Sequence, residues 1–280
     1  MKHKRIIGLF ACGAMTAVGF LLQGNLGLYL NLAAMCIVIG GTLFATLISF
    51  KLERLVILFR MLKNFQQTDV KKPNEIVEIL IDLSLKSKIK GLLSLEEDEA
   101  ETSVLFLRRA LGFLVDGYPP EDIRDILQTE MYFFKLRREE SERILRTIAN
   151  ICPSFGLVGS VVGLIGMLSG ITDTAVIIST IPIALSSTLY GIILANLFLL
   201  PFAANIAERT QHELLLQKMI LEGVVAIENK SNSRILESRL KSFLTPSSRN
   251  VTLVSIAKIR EKLKSYGGVE LQRTAKESSL

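Results

Sequence analysis

Charged side chains are missing from two long parts of this sequence. Residues 6–50 contain no Asp, Glu, Lys or Arg, and residues 147–207 contain only Asp173. The whole chain of 280 residues is 49% hydrophobic, and its mean hydropathy is +0.40. Uncharged runs of this length are typical of membrane-spanning segments and exclude an ordinary soluble domain.

The two uncharged parts are each long enough for two membrane spans. About 20 apolar residues cross a bilayer as a helix, and a helix satisfies its own backbone groups in lipid. We therefore predict an all-α membrane protein with four transmembrane helices arranged as two hairpins. The predicted spans are 6–22, 28–50, 148–171 and 175–206, with turns at 23–27 and 172–174.

The first apolar run has a second interpretation. A basic start followed by an apolar run is also typical of a secretory signal peptide. However, no A-x-A-like cleavage site follows, and another apolar run comes at once. These two observations favour a membrane span.

Residues that bind metals or perform redox chemistry are scarce. Cys12, Cys36 and Cys152 all lie in predicted spans without a C-x-x-C pair, and the two histidines, His3 and His212, are far apart. The sequence also has no Walker loop, nucleophile elbow or zinc-ligand set. We therefore expect no enzymatic activity, no metal site and no bound cofactor.

The basic residues predict the orientation in the membrane. All 33 lysines and arginines lie before residue 6, within 51–147 or after residue 207, and neither hairpin turn contains one. The positive-inside rule places both termini and the middle loop in the cytoplasm. The net charge of +6 favours contact with anionic lipid. We expect no nucleic-acid partner, because no recognition motif accompanies the charge.

Turn and helix signals divide the chain into four segments. Pro119 and Pro120, followed by two acidic residues, predict the start of a long helix that enters the third span. An earlier helix starts near Pro73, and the tail contains apolar helical patterns around 208–228 and 233–244. The predicted segments are a first hairpin at 1–50, a helical cytoplasmic loop at 51–147, a second hairpin at 148–207 and a helical tail at 208–280.

Small residues follow one helix face in each span of the second hairpin. They repeat at intervals of three or four residues, which allows two helices to approach closely. Close packing is the simplest explanation of these stripes. In the third span they are Gly156, Gly159, Gly163, Gly166 and Gly170, and in the fourth Ala184, Ser187, Gly191 and Ala195.

Hydroxyls and prolines lie on or near the same stripes. Proline removes the helical donor of the carbonyl four residues earlier. Hydroxyl and carbonyl oxygens are suitable ligands for a hard cation or for water, which predicts an ion path. A Ser or Thr can also bond its own helix, so simple packing stays open as an alternative. The residues concerned are Ser160, Ser187 and Thr188, together with Pro153, Pro182 and Pro201.

No ionisable side chain lies in the middle of any predicted span. Proton and ion carriers usually need one at this depth. If the chain lines an ion path, another polypeptide must therefore supply the carboxylate.

Six stretches together resemble the MotA/PomA family of flagellar stator A subunits. The related TolQ/ExbB energisers usually have only one span before the last two, so the first hairpin favours the stator branch. An energiser of an envelope protein and a non-conducting membrane scaffold are the alternatives. The stretches are IGGTLFATLISF at 39–50, GLLSLEE at 91–97, LVDGYPPEDIRDILQTE at 114–130, CPSFGLVGSVVGLIGML at 152–168, SSTLYGIILANLFLLPFA at 186–203 and ILEGVVAIENKSNSRILESRLKSFL at 220–244.

The resemblance implies a motor in the bacterial inner membrane. Members of the family form a pentamer around two copies of a single-span MotB/PomB-like subunit. That subunit carries the membrane aspartate and grips peptidoglycan. Flow of H+ or Na+ past the aspartate turns the A ring against the rotor protein FliG.

The resemblance also assigns residues. Pro153 and Pro201 match the family's prolines of conformational coupling, and Thr188 matches its fourth-span threonine. Ser160 matches a position that is often threonine in sodium-type members and alanine in proton-type members, which favours Na+. A serine bonded to the Gly156 carbonyl would leave H+ open. The rotor-facing candidates are Lys88, Lys90, Glu96, Glu97, Arg108 and Arg109.

Two positions depart from the family pattern. Glu97 stands where some members have a basic residue, so the assignment of individual rotor contacts is open. Pro182 lies in a stretch where the family pattern leads us to expect no proline.

Overall fold

A computed structural model describes residues 29–64 and 71–244, together with residues 8, 11, 13–15, 18, 19 and 22. Most of the predicted first span and the turn at 23–27 lie outside the described residues. The described helices are α1 (Leu32–Ser49), α2 (Leu52–Asn64), α3 (Pro73–Lys90), α4 (Glu96–Glu101), α5 (Leu105–Val115), α6 (Pro120–Ser169), α7 (Thr174–Ile193), α8 (Leu200–Glu228) and α9 (Ser233–Lys241).

Helix boundaries follow the local signals of the sequence. Asn31 begins α1 by accepting a hydrogen bond from the Ala34 amide at 3.0 Å. Asp173 begins α7 in the same way, with the Ala175 amide at 2.9 Å. A side-chain acceptor at these positions satisfies one of the free amides of a helix start. Gly91 follows α3 with a φ of 81°, in the left-handed region that glycine adopts without strain.

Three helical runs are long and apolar enough to cross a membrane within the part of the chain that the structure describes. They are Leu32–Ser49, Pro120–Ser169 and Thr174–Glu228. The long helix predicted to begin near Pro120 and to enter the third span is confirmed by α6. A short π-helix at Leu194–Leu199 joins α7 to α8.

The predicted tail helix at 208–228 is not a separate element. It forms the second half of α8, which begins at Leu200 and continues without a break. Charge increases at residue 208, but no glycine or proline follows Pro201 before Gly223 to end the helix. The second tail helix, predicted at 233–244, ends at Lys241.

The contacts divide the chain into two units. The first lies within Met1–Lys63 and Glu140–Ile206, and the second within Asn64–Glu139 and Ala207–Leu280. In the first, the inward stripe of α1 is Ala34, Val38, Thr42 and Thr46. In the second, apolar residues from α3, α5, α8, α9 and the start of α6 form one core. The loop and the tail thus share one hydrophobic core, although the sequence predicts them as two separate segments.

Candidate functional site

The glycine face of α6 packs directly against the backbone of α7. A β-carbon added at Gly156 would lie 3.0 Å from the Ser187 carbonyl oxygen, and one at Gly163 would lie 2.7 Å from the Ala184 nitrogen. From the opposite helix, a β-carbon at Gly191 would lie 2.7 Å from the Cys152 carbonyl oxygen. The two helices therefore approach at a distance that larger side chains would prevent. The structure thus places the small-residue stripes of the two helices against each other.

The outer glycines of the stripe face side chains. A β-carbon at Gly166 would lie 3.2 Å from the Thr180 methyl carbon, and one at Gly170 would lie 2.5 Å from a Val176 methyl carbon. Near the end of the hairpin the constraint therefore comes from side-chain atoms, which move more easily than backbone.

Two hydroxyls meet across this glycine interface. The Ser160 hydroxyl donates to the Ala184 carbonyl at 2.5 Å. Its oxygen also lies 2.5 Å from the Thr188 hydroxyl oxygen. The Thr188 hydroxyl is 3.5 Å from the Gly156 carbonyl oxygen. The structure thus gathers two hydroxyl and two carbonyl oxygens between α6 and α7. Ser160 bonds across the hairpin and not to its own helix.

Ser187 takes a different position from its neighbour Thr188. Its hydroxyl donates to the Ile183 carbonyl in the same helix at 2.6 Å. The side chain is fully buried and packs on Gly159. The structure therefore places Ser187 in the packing face and does not join it to the hydroxyl pair.

The prolines have different local surroundings. Both α6 and α7 continue as helices through Pro153 and Pro182. Pro201 follows the π-helix, where the Leu200 amide bonds the Ala195 carbonyl five residues earlier. A proline ring collides with the carbonyl four residues before it, and a wider π-turn relieves that collision. The wider turn thus explains how α8 begins with a proline at its second residue.

The six rotor-facing candidates lie in the second unit. Lys88 donates to the Ser233 hydroxyl at 3.3 Å, and Arg108 donates to the Thr102 carbonyl at 2.7 Å. Arg109 pairs with Glu130 at 2.9 Å. Glu96, Glu97 and Lys90 are exposed. All six are available at or near the surface, and several already have partners within the unit.

A lysine that sequence reasoning missed organises this region. Lys86 pairs with Asp98 at 2.7 Å and with Glu97 at 3.6 Å. Burial alone would lower the pKa of the Lys86 ammonium, but the hydrogen bond and charge of Asp98, together with Glu97, raise it above its ordinary value. Lys86 therefore stays charged and joins α3 to α4. Lys86 and Asp98 are twelve residues apart and lie in different helices, so no three- or four-residue helical spacing in the sequence indicated this ion pair.

Tyr190 makes a second contact that the sequence did not reveal, with the start of α1. Its hydroxyl accepts from the Asn31 amide at 2.8 Å and donates to the Tyr29 carbonyl. The side chain therefore ties α7 to the start of α1, more than 150 residues away in sequence. The sequence feature that could have pointed to Tyr190 is its position two residues after Thr188 in the stretch TLYG.

The described residues contain no group of three or more His, Cys, Asp or Glu side chains that could hold a metal ion. The oxygens near Ser160 belong to hydroxyl and carbonyl groups and are therefore neutral.

The sequence profile of the MotA/TolQ/ExbB proton channel family matches residues 98–219. The chain is 27% identical over 249 residues to the chemotaxis protein PomA of Vibrio alginolyticus, covering 89% of this chain and 98% of that protein. It is 32% identical over 247 residues to motility protein A of Treponema phagedenis, covering 88% and 95%. The solved structure of C. jejuni MotAB matches with a TM-score of 0.80 and 25% identity, covering 91% of this chain and 100% of that chain.

Proposed function

This chain belongs to the MotA/PomA family of flagellar stator A subunits, and on that premise we propose that its Ser160–Thr188 pair lines the ion path. The hydroxyls lie 2.5 Å apart, and Ser160 also bonds the Ala184 carbonyl. This convergence of oxygens between two apolar helices is the observation that carries the proposal. Such oxygens can bind water or a hard cation.

The ion path needs a second polypeptide. The spans of this chain contain no central carboxylate, and neutral oxygens alone do not carry a proton. We propose that a single-span MotB/PomB-like partner supplies an aspartate beside the hydroxyl pair. The match to a MotAB structure supports a partner of this kind.

Movement of the hairpin would follow from its prolines. Pro153 interrupts the hydrogen bonds of α6, and Pro201 adjoins the π-turn that precedes α8. Such positions bend more easily than a regular helix. We propose that ion passage changes the bend at these two residues. The charged surface that includes Lys88, Glu96 and Arg108 would then push the rotor protein FliG.

We propose four membrane spans with both termini in the cytoplasm of a bacterial inner membrane. The confinement of all lysines and arginines to residues before 6, within 51–147 and after 207 supports this topology. The segments 1–50 and 148–207 would form the hairpins, and 51–147 and 208–280 the cytoplasmic parts. Basic residues near the membrane would contact anionic lipid.

We expect the purified chain and its partner to form a complex with about five copies of this chain, the number implied by the family. The glycine stripes bury α6 against α7, while large side chains such as Leu157 (61% exposed) and Ile165 (61% exposed) face outward and need other helices or lipid. Native mass spectrometry measures the copy number. A stable one-to-one complex would contradict the ring.

We expect motor speed to depend on external sodium, and Ser160→Ala to weaken that dependence. Sodium requires several oxygen ligands at once, and alanine removes the one that joins Thr188 to the Ala184 carbonyl. Swimming speed is measured against sodium concentration at fixed pH, in wild type and variant.

Ser187→Ala is the matched control, because the Ser187 hydroxyl bonds within its own helix. We expect this variant to retain the sodium dependence of the wild type. A wild-type motor that ignores sodium but stops with a protonophore would make H+ the coupling ion. Ser160 would then be a packing residue.

A further inference from the structure

A buried hydroxyl on α1 makes no hydrogen bond to a nitrogen or oxygen atom among the described residues. The Thr42 hydroxyl oxygen is inaccessible to solvent, and the whole residue is only 3% exposed. A buried polar group without a partner costs stability, and the cost is greater in an apolar setting. Thr42 lies on the inward stripe of α1, where it faces the packed protein and not the lipid.

The next threonine on the same stripe is satisfied. The Thr46 hydroxyl donates to the Thr42 carbonyl at 2.7 Å, the usual bond of a threonine to its own helix. Thr46 is equally buried, at 3% exposure. The two threonines therefore share residue type, helix and burial, and differ in whether the hydroxyl bonds an oxygen atom.

Thr42 lies beside the part of α6 that a proline leaves incomplete. Its hydroxyl meets the Cys152 thiol, which is a weak hydrogen-bond partner, and Cys152 packs with Ala149 in one buried cluster. A helical side chain covers the turn on the N-terminal side of its own Cα, so the Cys152 side chain lies over the turn that contains Ala149. Pro153 has no amide hydrogen, and the Ala149 carbonyl therefore lacks its helical donor.

We propose that the Thr42 hydroxyl and the Ala149 carbonyl share one buried water molecule. The hydroxyl and the released carbonyl are two polar groups in need of partners on adjoining helix faces, and a buried water typically bridges such groups. In a membrane, a carbonyl freed by proline is commonly satisfied by a neighbouring hydroxyl or by water. Thr42 is thus a positioning residue that stabilises α6 at Pro153.

The test compares valine substitutions, which keep the shape of threonine and remove the hydroxyl. The full chain is purified with its single-span partner, and the Tm of the complex is measured. We expect Thr42→Val to lower the Tm by a few degrees and Thr46→Val to leave it almost unchanged. A Tm raised by Thr42→Val would overturn the proposal, since it would mean that the hydroxyl is unpaired.

A double-mutant cycle identifies the partner. Pro153→Ala restores the helical donor of the Ala149 carbonyl, so we expect Thr42→Val to have no further effect on Tm in that background. An equal loss of Tm in both backgrounds would place the partner elsewhere. Loss of the effect in Cys152→Ala instead would make the thiol the partner. Either outcome overturns the proposed water.

A high-resolution density map of the complex tests for the proposed water molecule without any substitution. We expect one ordered water within hydrogen-bond distance of the Thr42 hydroxyl and the Ala149 carbonyl. A map that shows other ordered waters and none at this position would contradict the proposal. Neither the Tm nor the map depends on the coupling ion or on the motor function.

Discussion

A single methyl group added at Gly163 is expected to force α6 and α7 apart and to stop the motor. In Gly163→Ala the new carbon would lie 2.7 Å from the Ala184 nitrogen and 2.9 Å from the Ala184 Cα. Backbone atoms cannot turn aside as the end of a side chain can, so one helix must shift. Overpacking of this kind costs about 1–3 kcal/mol. The Ala184 carbonyl, which accepts from Ser160, would move with its helix.

The measurement combines the Tm of the purified complex with the swimming speed of cells. Gly40→Ala is the control, because a β-carbon at Gly40 meets nothing within 4 Å in the chain. Alanine there favours the helix by up to about 1 kcal/mol. We expect Gly163→Ala to lower the Tm and abolish swimming, and Gly40→Ala to preserve both. Equal behaviour of the two variants would show that the close approach is unimportant.

Alanine at Pro153 or Pro201 is expected to give a stator that inserts normally but drives little or no rotation. Pro153→Ala and Pro201→Ala each restore a helical amide donor, so helix formation improves while the capacity to bend is lost. At residue 201 the change also removes the proline ring whose collision with the preceding turn is relieved by the π-turn at Leu194–Leu199. Membrane content is measured by immunoblot and torque by rotation of tethered cells.

Pro182→Ala is the matched control for this pair. It also restores a helical donor in a membrane helix, but the family pattern assigns coupling to Pro153 and Pro201 and not to Pro182. We expect near-normal torque. If Pro153→Ala and Pro201→Ala also rotate normally, the prolines do not couple ion flow to movement, and packing becomes the better explanation of the hairpin.

Several features of the fold could be predicted because local chemistry determines them. The course of α6 follows from Pro120, the acidic residues after it and a long run without a breaker. The facing small-residue stripes follow from spacing alone, since only one helix face contains these glycines. Convergence of Ser160 and Thr188 required a further step, the antiparallel hairpin, which the uncharged run at 147–207 predicted.

Other features depend on contacts between distant parts of the chain. From the sequence, Ser187 and Thr188 are both candidates for the ion path, as neighbouring hydroxyls in one span. Successive residues of a helix point about 100° apart, so one faces Gly159 and the other faces Ser160. The buried position of the Thr42 hydroxyl and the bonds of Tyr190 to α1 likewise depend on the packed helices.

The continuity of α8 shows a different limit of sequence reasoning. A change from apolar to charged residues near 208 predicts an element boundary, yet it marks only a change of surroundings along one helix. Helix ends are determined by caps, glycine and proline, whereas hydropathy reports what surrounds the helix.

Ion flux into liposomes that contain this chain and its single-span partner tests the central claim most directly. The account predicts a sodium flux that requires both proteins, disappears when the partner's membrane aspartate is changed to asparagine, and falls in Ser160→Ala but not in Ser187→Ala. A flux that persists without the aspartate, or the absence of any ion flux through the intact pair, would contradict the account.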